Sequence, residues 1–244
     1  MRRMRLLPAA TAFLTAVALP LALAACTTGA PPAPALAQAA GPPSAAPAPA
    51  NPDAGLLTGT QLRGLLEPRA YFPRGYVRDP AGTRDTGSGY QQPSATAVAK
   101  PDCRLLGATS WTSITGISGV SFAEDAYVDR ASSSEIAQEI DVYRGTTSRA
   151  VVRKLGAVAT ACPWYTDPQT GSRATVSEQA SPRFTAGGYV ITVTDPAWRG
   201  GTTLVAARAG AAVVTVLSTE GADNGRASAM RLASQLVAVL QGMT

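Results

Sequence analysis

Residues 136–162 read IAQEIDVYRGTTSRAVVRKLGAVATAC, and two hydrophobic periods meet inside that run. Ile136, Ile140 and Val142 alternate with Glu139, Asp141 and Tyr143, as in a strand with one apolar and one wet face. After Thr146 or Thr147, either of which can cap a helix, the period lengthens. Val151, Val152, Leu155, Val158 and Ala159 fall at i, i+1, i+4, i+7 and i+8, one apolar stripe. Cys162 follows Leu155 by seven residues and ends on the same side. A half-wet strand feeding a one-sided helix predicts an α+β fold, with helices packed on an antiparallel sheet that is covered on one face.

The flanking sequence extends this pattern. Downstream lie four more strand candidates: Ala174 to Gln179, Tyr189 to Thr194, Thr203 to Arg208 and Ala212 to Thr219. Asp195 to Gly201 and Ala209-Gly210-Ala211 read as hairpin turns, and Pro163 to Ser172 as a loop. A closing helix from about Arg226 to Gly242 places Ala229, Met230, Ala233, Leu236, Val237 and Leu240 on one face. Upstream, Ser121 to Val128 alternates imperfectly, Cys103 to Ala108 suits a short helix, and Thr58 or Thr60 caps another carrying Leu62, Leu65 and Leu66. Arg78 to Asp102 is rich in Gly, Pro, Ser and Thr with little periodicity, so it is expected to be a loop and the first place to look for flexibility. The sum is a single domain over 56–244 with a sheet of about five or six strands.

Before that domain the composition changes twice. Arg2, Arg3 and Arg5 precede an uncharged apolar run from Leu6 to Ala25, which ends in Leu23-Ala24-Ala25-Cys26. Basic, apolar, small and Cys elements in that order resemble the bacterial lipobox. Residues 1–25 are therefore expected to be an export signal and Cys26 the lipidated N-terminus. The alternatives are a retained anchor with an incidental Cys, against which Pro8 and Pro20 argue, and twin-arginine export, which the flanking residues fit poorly. Residues 26–55 then form a tether. Eight prolines fall between Thr27 and Pro52 with no charge, a composition that reaches on the order of 80 Å as polyproline II or serves as a plain disordered linker.

Subtracting Cys26 leaves Cys103 and Cys162, an even pair in an exported chain. A disulfide between them would close a loop of about 60 residues and stabilise the fold by roughly 4 kcal/mol. A reactive or metal-binding thiol pair is the alternative, with neither C-x-x-C spacing nor a His to support it.

The chain contains no His, which excludes Ser-His-Asp and Cys-His triads, His-ligated zinc and an imidazole switch. Its charge of +5 is largely the signal's own, because removing three arginines leaves 18 basic against 16 acidic side chains, or +2. No nucleic-acid partner is expected. Glu124, Asp125 and Asp129 invite a metal or acid-base reading, but Glu124 and Asp125 point to opposite faces of one strand and are expected to be solvated charges. Lys100 and Lys154 lie in no S-x-x-K arrangement, and Gly187-Gly188 and Gly200-Gly201 have no phosphate-loop context. No catalytic residue, metal or cofactor is expected. Trp164, Trp198 and the adjacent Arg199 sit in expected loops and are the candidate ligand contacts, with capping of the core edge as the alternative.

With these features in place, residues 56–243 resemble the PknH-like extracellular sensor domain family of actinobacteria. The likeness rests on a Cys before the first central strands, the helix Val151 to Ala161 ending in Cys162, the VAARAGAAVVTVLS hairpin from Val205 to Ser218, and the Ala-rich closing helix. It implies an antiparallel sheet with helices and a cleft. Members commonly carry a second disulfide, for which this chain has no cysteines. The expectation is a non-catalytic, sensor-like lipoprotein on the outer face of the cytoplasmic membrane, binding a small ligand or an envelope partner. A structural or assembly accessory of the envelope is the alternative, and less favoured still is a hydrolase without a recognisable motif.

Overall fold

The strand read around residues 136–143 is β3, Ser134–Val142, third in an eight-stranded sheet that is antiparallel throughout. The structure, a computed structural model, describes residues 51–243. The export signal over 1–25, the lipid site Cys26 and most of the tether lie outside the described residues. Across the sheet the order is β1 (Tyr76–Asp85), β2 (Ser121–Asp129), β3, β8 (Ala212–Ser218), β7 (Thr202–Ala209), β6 (Gly188–Thr194), β5 (Arg173–Ala180) and β4 (Trp164–Thr166). The seam is β3 against β8, with Ile140 opposite Val214 and Ile136 opposite Ser218. After β3 the chain leaves the sheet, crosses one face and re-enters at the far edge as β4.

Both faces of the sheet are covered, which corrects the expectation of one wet face. On one side α5 (Arg226–Gln241) lays Ala229, Leu232, Ala233 and Leu236 over Ile140, Val205, Val214 and Val216, joined by Leu62 of α1 (Gly59–Arg63). Leu232 and Leu236 are withdrawn from water almost completely, a gain of about 1.5–3 kcal/mol each. On the other side α2 (Thr112–Thr115), α3 (Thr147–Leu155) and α4 (Val158–Ala161) pack with Trp111 on Ala137, Leu204, Ala206 and Val213. Central strand β8 is buried over its whole length, and its near-continuous apolar run suits a strand sandwiched between two layers.

Local chemistry sets the element ends. Thr58 caps α1 with a reciprocal pair: the Gln61 N–H donates to Thr58 Oγ1 at 3.4 Å, and the Thr58 N–H donates to Gln61 Oε1 at 2.8 Å. The long helix expected from Thr146 to Cys162 is two helices, α3 and α4, broken at Gly156, where the Tyr189 hydroxyl occupies the space a Cβ would need.

The sheet has eight strands where about five or six were expected, and the strands that the sequence did not offer are β1 and β4. The segment read as a loop over 78–102 begins as β1, paired with β2 from Tyr76 opposite Asp129 to Asp85 opposite Ala123. Pro80 and Gly82 fall where the register shifts, between Asp79 and Arg84, and they erased the strand's periodicity. The remainder is pinned to the body. Gln91 N–H donates to the Val120 carbonyl at 2.8 Å, Ser94 N–H to Ser118 Oγ at 2.8 Å and Thr96 N–H to the Gly116 carbonyl at 2.7 Å. Gly116 ends α2 with φ +73°, and a Cβ there would meet the Thr96 carbonyl. The second unexpected strand, β4, lies inside the segment read as the Pro163 to Ser172 loop.

Candidate functional site

Cys103 and Cys162 are disulfide-bonded, with Cα atoms 5.5 Å apart. The bond joins a 3-10 turn, Cys103–Gly107, to the end of α4, one residue before Pro163 and two before β4. Between that turn and the sheet edge lies a groove of about 550 Å³, lined by Lys100, Asp102, Arg104, Trp164 and Thr166 among others. Trp164 is 48 % exposed, and the Arg173 guanidinium sits 4.5 Å from its ring centroid. Arg104 grips Asp102 with two hydrogen bonds, 2.9 and 2.7 Å, which hold the Asp102 carboxyl below its ordinary range. Lys100 and Arg173 have no carboxylate partner among the described residues. Lys100 lines the groove, and Arg173 lies outside its lining against the exposed Trp164 ring.

Of the three residues singled out as ligand contacts, the structure places Trp164 in this groove. Trp198 is half-buried, and its indole N–H donates to Asp167 Oδ2 at 2.8 Å. Asp167 also accepts from the Gln169 N–H, and these bonds hold its carboxyl low. Trp198 thus ties the β6–β7 turn to the β4–β5 turn. Arg199 is exposed on the former turn and does not line the groove. Trp111 is fully buried and donates from its indole to Thr215 Oγ1 at 2.7 Å. Lys154 is solvent-facing and donates to the Thr115 carbonyl.

A second constellation was invisible in the sequence. Glu124 and Glu139 lie directly opposite each other on β2 and β3, and Asp141 follows two residues on, on the same face. All three are buried, which corrects the expectation of solvated strand charges, while Asp125 on the opposite face is buried against Arg78. One cation serves the group, Arg84, whose Nε is 2.6 Å from Glu124 Oε2. The Thr109 hydroxyl bridges Glu124 Oε1, at 2.9 Å, and Glu139 Oε2. A hydroxyl has one proton to give, so when it donates to Glu124 it must accept from a protonated Glu139. Burial, then the charge of Glu124, raises Glu139 to about 7. Burial, then the charge of Glu139, raises Asp141 well above its ordinary value, and the same surroundings raise Tyr143. Near neutral pH the group is a proton-holding cluster under Trp111 and Thr109, and it lines none of the grooves described here. Among the described residues no group of three or more His, Cys, Asp or Glu is arranged to hold a metal ion.

Two further recesses exist: an apolar one of about 150 Å³ between residues 55–57 and the end of α5, and one of about 570 Å³ beside the β1–β2 edge. Neither sets an exposed aromatic ring against free cations. Among the described residues no helix is long and apolar enough to cross a membrane. Compared with known proteins, the chain matches no family model and no curated relative.

Proposed function

We propose that this chain is an extracytoplasmic lipoprotein, anchored to the membrane through Cys26, which binds a small ligand or envelope partner in the groove beside the Cys103–Cys162 bond. It is sensor-like and non-catalytic, in keeping with the resemblance to PknH-like sensor domains. The observation that carries the binding reading is Trp164: a large ring left half in water, braced by Arg173 and facing a cleft with an unpaired Lys100. Leaving such a ring exposed gains nothing for the fold, whereas aromatic and Arg pairs are frequent anchors at binding surfaces. The anchoring reading rests on the Leu23-Ala24-Ala25-Cys26 pattern and the Pro-rich tether. Two or three acyl chains would hold the protein on a membrane surface.

Native mass spectrometry of the full chain, extracted from its own host in detergent, tests both parts. The expected result is a mass carrying acyl groups on Cys26, lost in Cys26→Ala, and a non-covalent occupant displaced in Trp164→Ala. Unmodified Cys26 refutes the anchor. An empty domain, or an occupant indifferent to Trp164→Ala, refutes the groove.

A further inference from the structure

The groove is also the free edge of the sheet. The β4–β5 ladder places Trp164 opposite Thr175, Tyr165 opposite Ala174 and Thr166 opposite Arg173. In the same register the Val176 N–H donates to the Pro163 carbonyl at 3.1 Å, and the Asp167 N–H to the Ser172 carbonyl at 2.9 Å. Hydrogen-bonded pairs alternate along an antiparallel ladder, so Pro163, Tyr165 and Asp167 face inward. The N–H and C=O groups of Trp164 and Thr166 therefore point away from β5, and among the described residues no backbone partner from the loops engages them.

The two edges of the sheet are treated differently. At the other edge, β1 carries Arg78, Asp79, Pro80 and a register shift, features that discourage another strand from adding. β4 is Trp-Tyr-Thr, a β-favouring triplet without charge, proline or bulge; its brevity and the 3-10 turn across the groove limit pairing to a short segment. The charges flanking it, Lys100 on the rim and Arg173 beside Trp164, are both unpaired and positive.

We propose that β4 receives an extended acidic peptide segment of a partner protein as a ninth strand, with main-chain bonds to Trp164 and Thr166 and carboxylates on Lys100 and Arg173. This rests on the groove reading above and names its occupant. The mode is strand addition, in which backbone bonds supply affinity and alternate side chains supply selectivity. The edge is short, so the recognised stretch is short.

The test uses the full chain in detergent micelles and two hexapeptide pools, one alternating Glu with Val, Ile, Thr or Tyr, the other with Lys in place of Glu. Backbone amide exchange of Trp164 and Thr166, followed by NMR, is the readout. The acidic pool is expected to slow both amides and the basic pool to leave them unchanged. Thr166→Pro removes one outward N–H while sparing the inward ladder, and is expected to weaken binding about tenfold. Lys100→Glu with Arg173→Glu should lose the acidic pool and gain the basic one. Unprotected amides, equal protection by both pools, or unchanged binding by Thr166→Pro would overturn the proposal. If that variant disturbs the wider amide spectrum, acidic peptides N-methylated on the edge facing β4 replace it, and retained binding is then the refuting result. A host-derived occupant that shifts the Trp164 indole while the peptides protect neither amide refutes strand addition alone. No occupant of either kind refutes the groove as well.

Discussion

Replacing Glu139 by Gln tests the proton-holding cluster. In the folded chain Glu139 is raised to about 7 from an ordinary 4.5, chiefly by burial. A carboxyl that holds its proton more tightly when folded stabilises the fold relative to its ionised form at low pH. That stability is fully present below about 4.5 and is lost as pH rises through about 7. The difference corresponds to roughly 3 kcal/mol, at about 1.4 kcal/mol per pH unit. Asp141, also raised, acts with the same sign. The lowered carboxyls Asp53, Asp102, Asp129 and Asp167 act with the opposite sign and lose their contribution only as pH falls below the usual Asp range. Urea unfolding followed by circular dichroism from pH 5 to pH 8 should show the wild type losing roughly 2–3 kcal/mol of stability through Glu139. Glu139→Gln cannot ionise and fits the same space, so its profile should be flatter. Its advantage over wild type should be under about 1 kcal/mol at pH 5 and grow to about 3 kcal/mol at pH 8. Parallel profiles for the two proteins would refute a protonated Glu139 and with it the bridging role assigned to Thr109.

Cys103→Ser with Cys162→Ser should lower stability by about 4 kcal/mol in denaturant titrations, because the bond closes a long loop; a loss below about 1 kcal/mol would show that the unfolded chain is not constrained by it. Gly116→Ala should cost about 1–2 kcal/mol for the left-handed backbone alone, and more because the new Cβ meets the Thr96 carbonyl. Hydrogen exchange in that variant should rise at Ser94 and Thr96, and unchanged exchange there would mean the 86–102 segment is held elsewhere.

Strands β2, β3 and β5 to β8 were legible because each alternates or runs apolar between clear turn residues. β1 was not, since Pro80 and Gly82 break its pattern and the strand is rescued by its long ladder with β2. β4 has three residues, too few to show a period, and it is a strand only because β5 lies beside it. The acid cluster was hidden for another reason. Alternation on β3 marks Glu139 and Asp141 as facing away from the apolar core, and parity cannot distinguish water from a second protein layer carrying Thr109 and Trp111. What separates them is the register that sets Glu124 against Glu139, a contact between distant residues. The disulfide was legible by subtraction and Trp164 as a candidate ligand contact, but the groove between them depends on β4 and was not.

The covalent link between Cys103 and Cys162 also sets when the groove can exist. It spans the two walls, so a chain that has not met an oxidant lacks the tie that holds Lys100 and Arg104 opposite Trp164. Completion of the proposed binding groove is then a chemical event in the history of each molecule, separate from the collapse of its two cores.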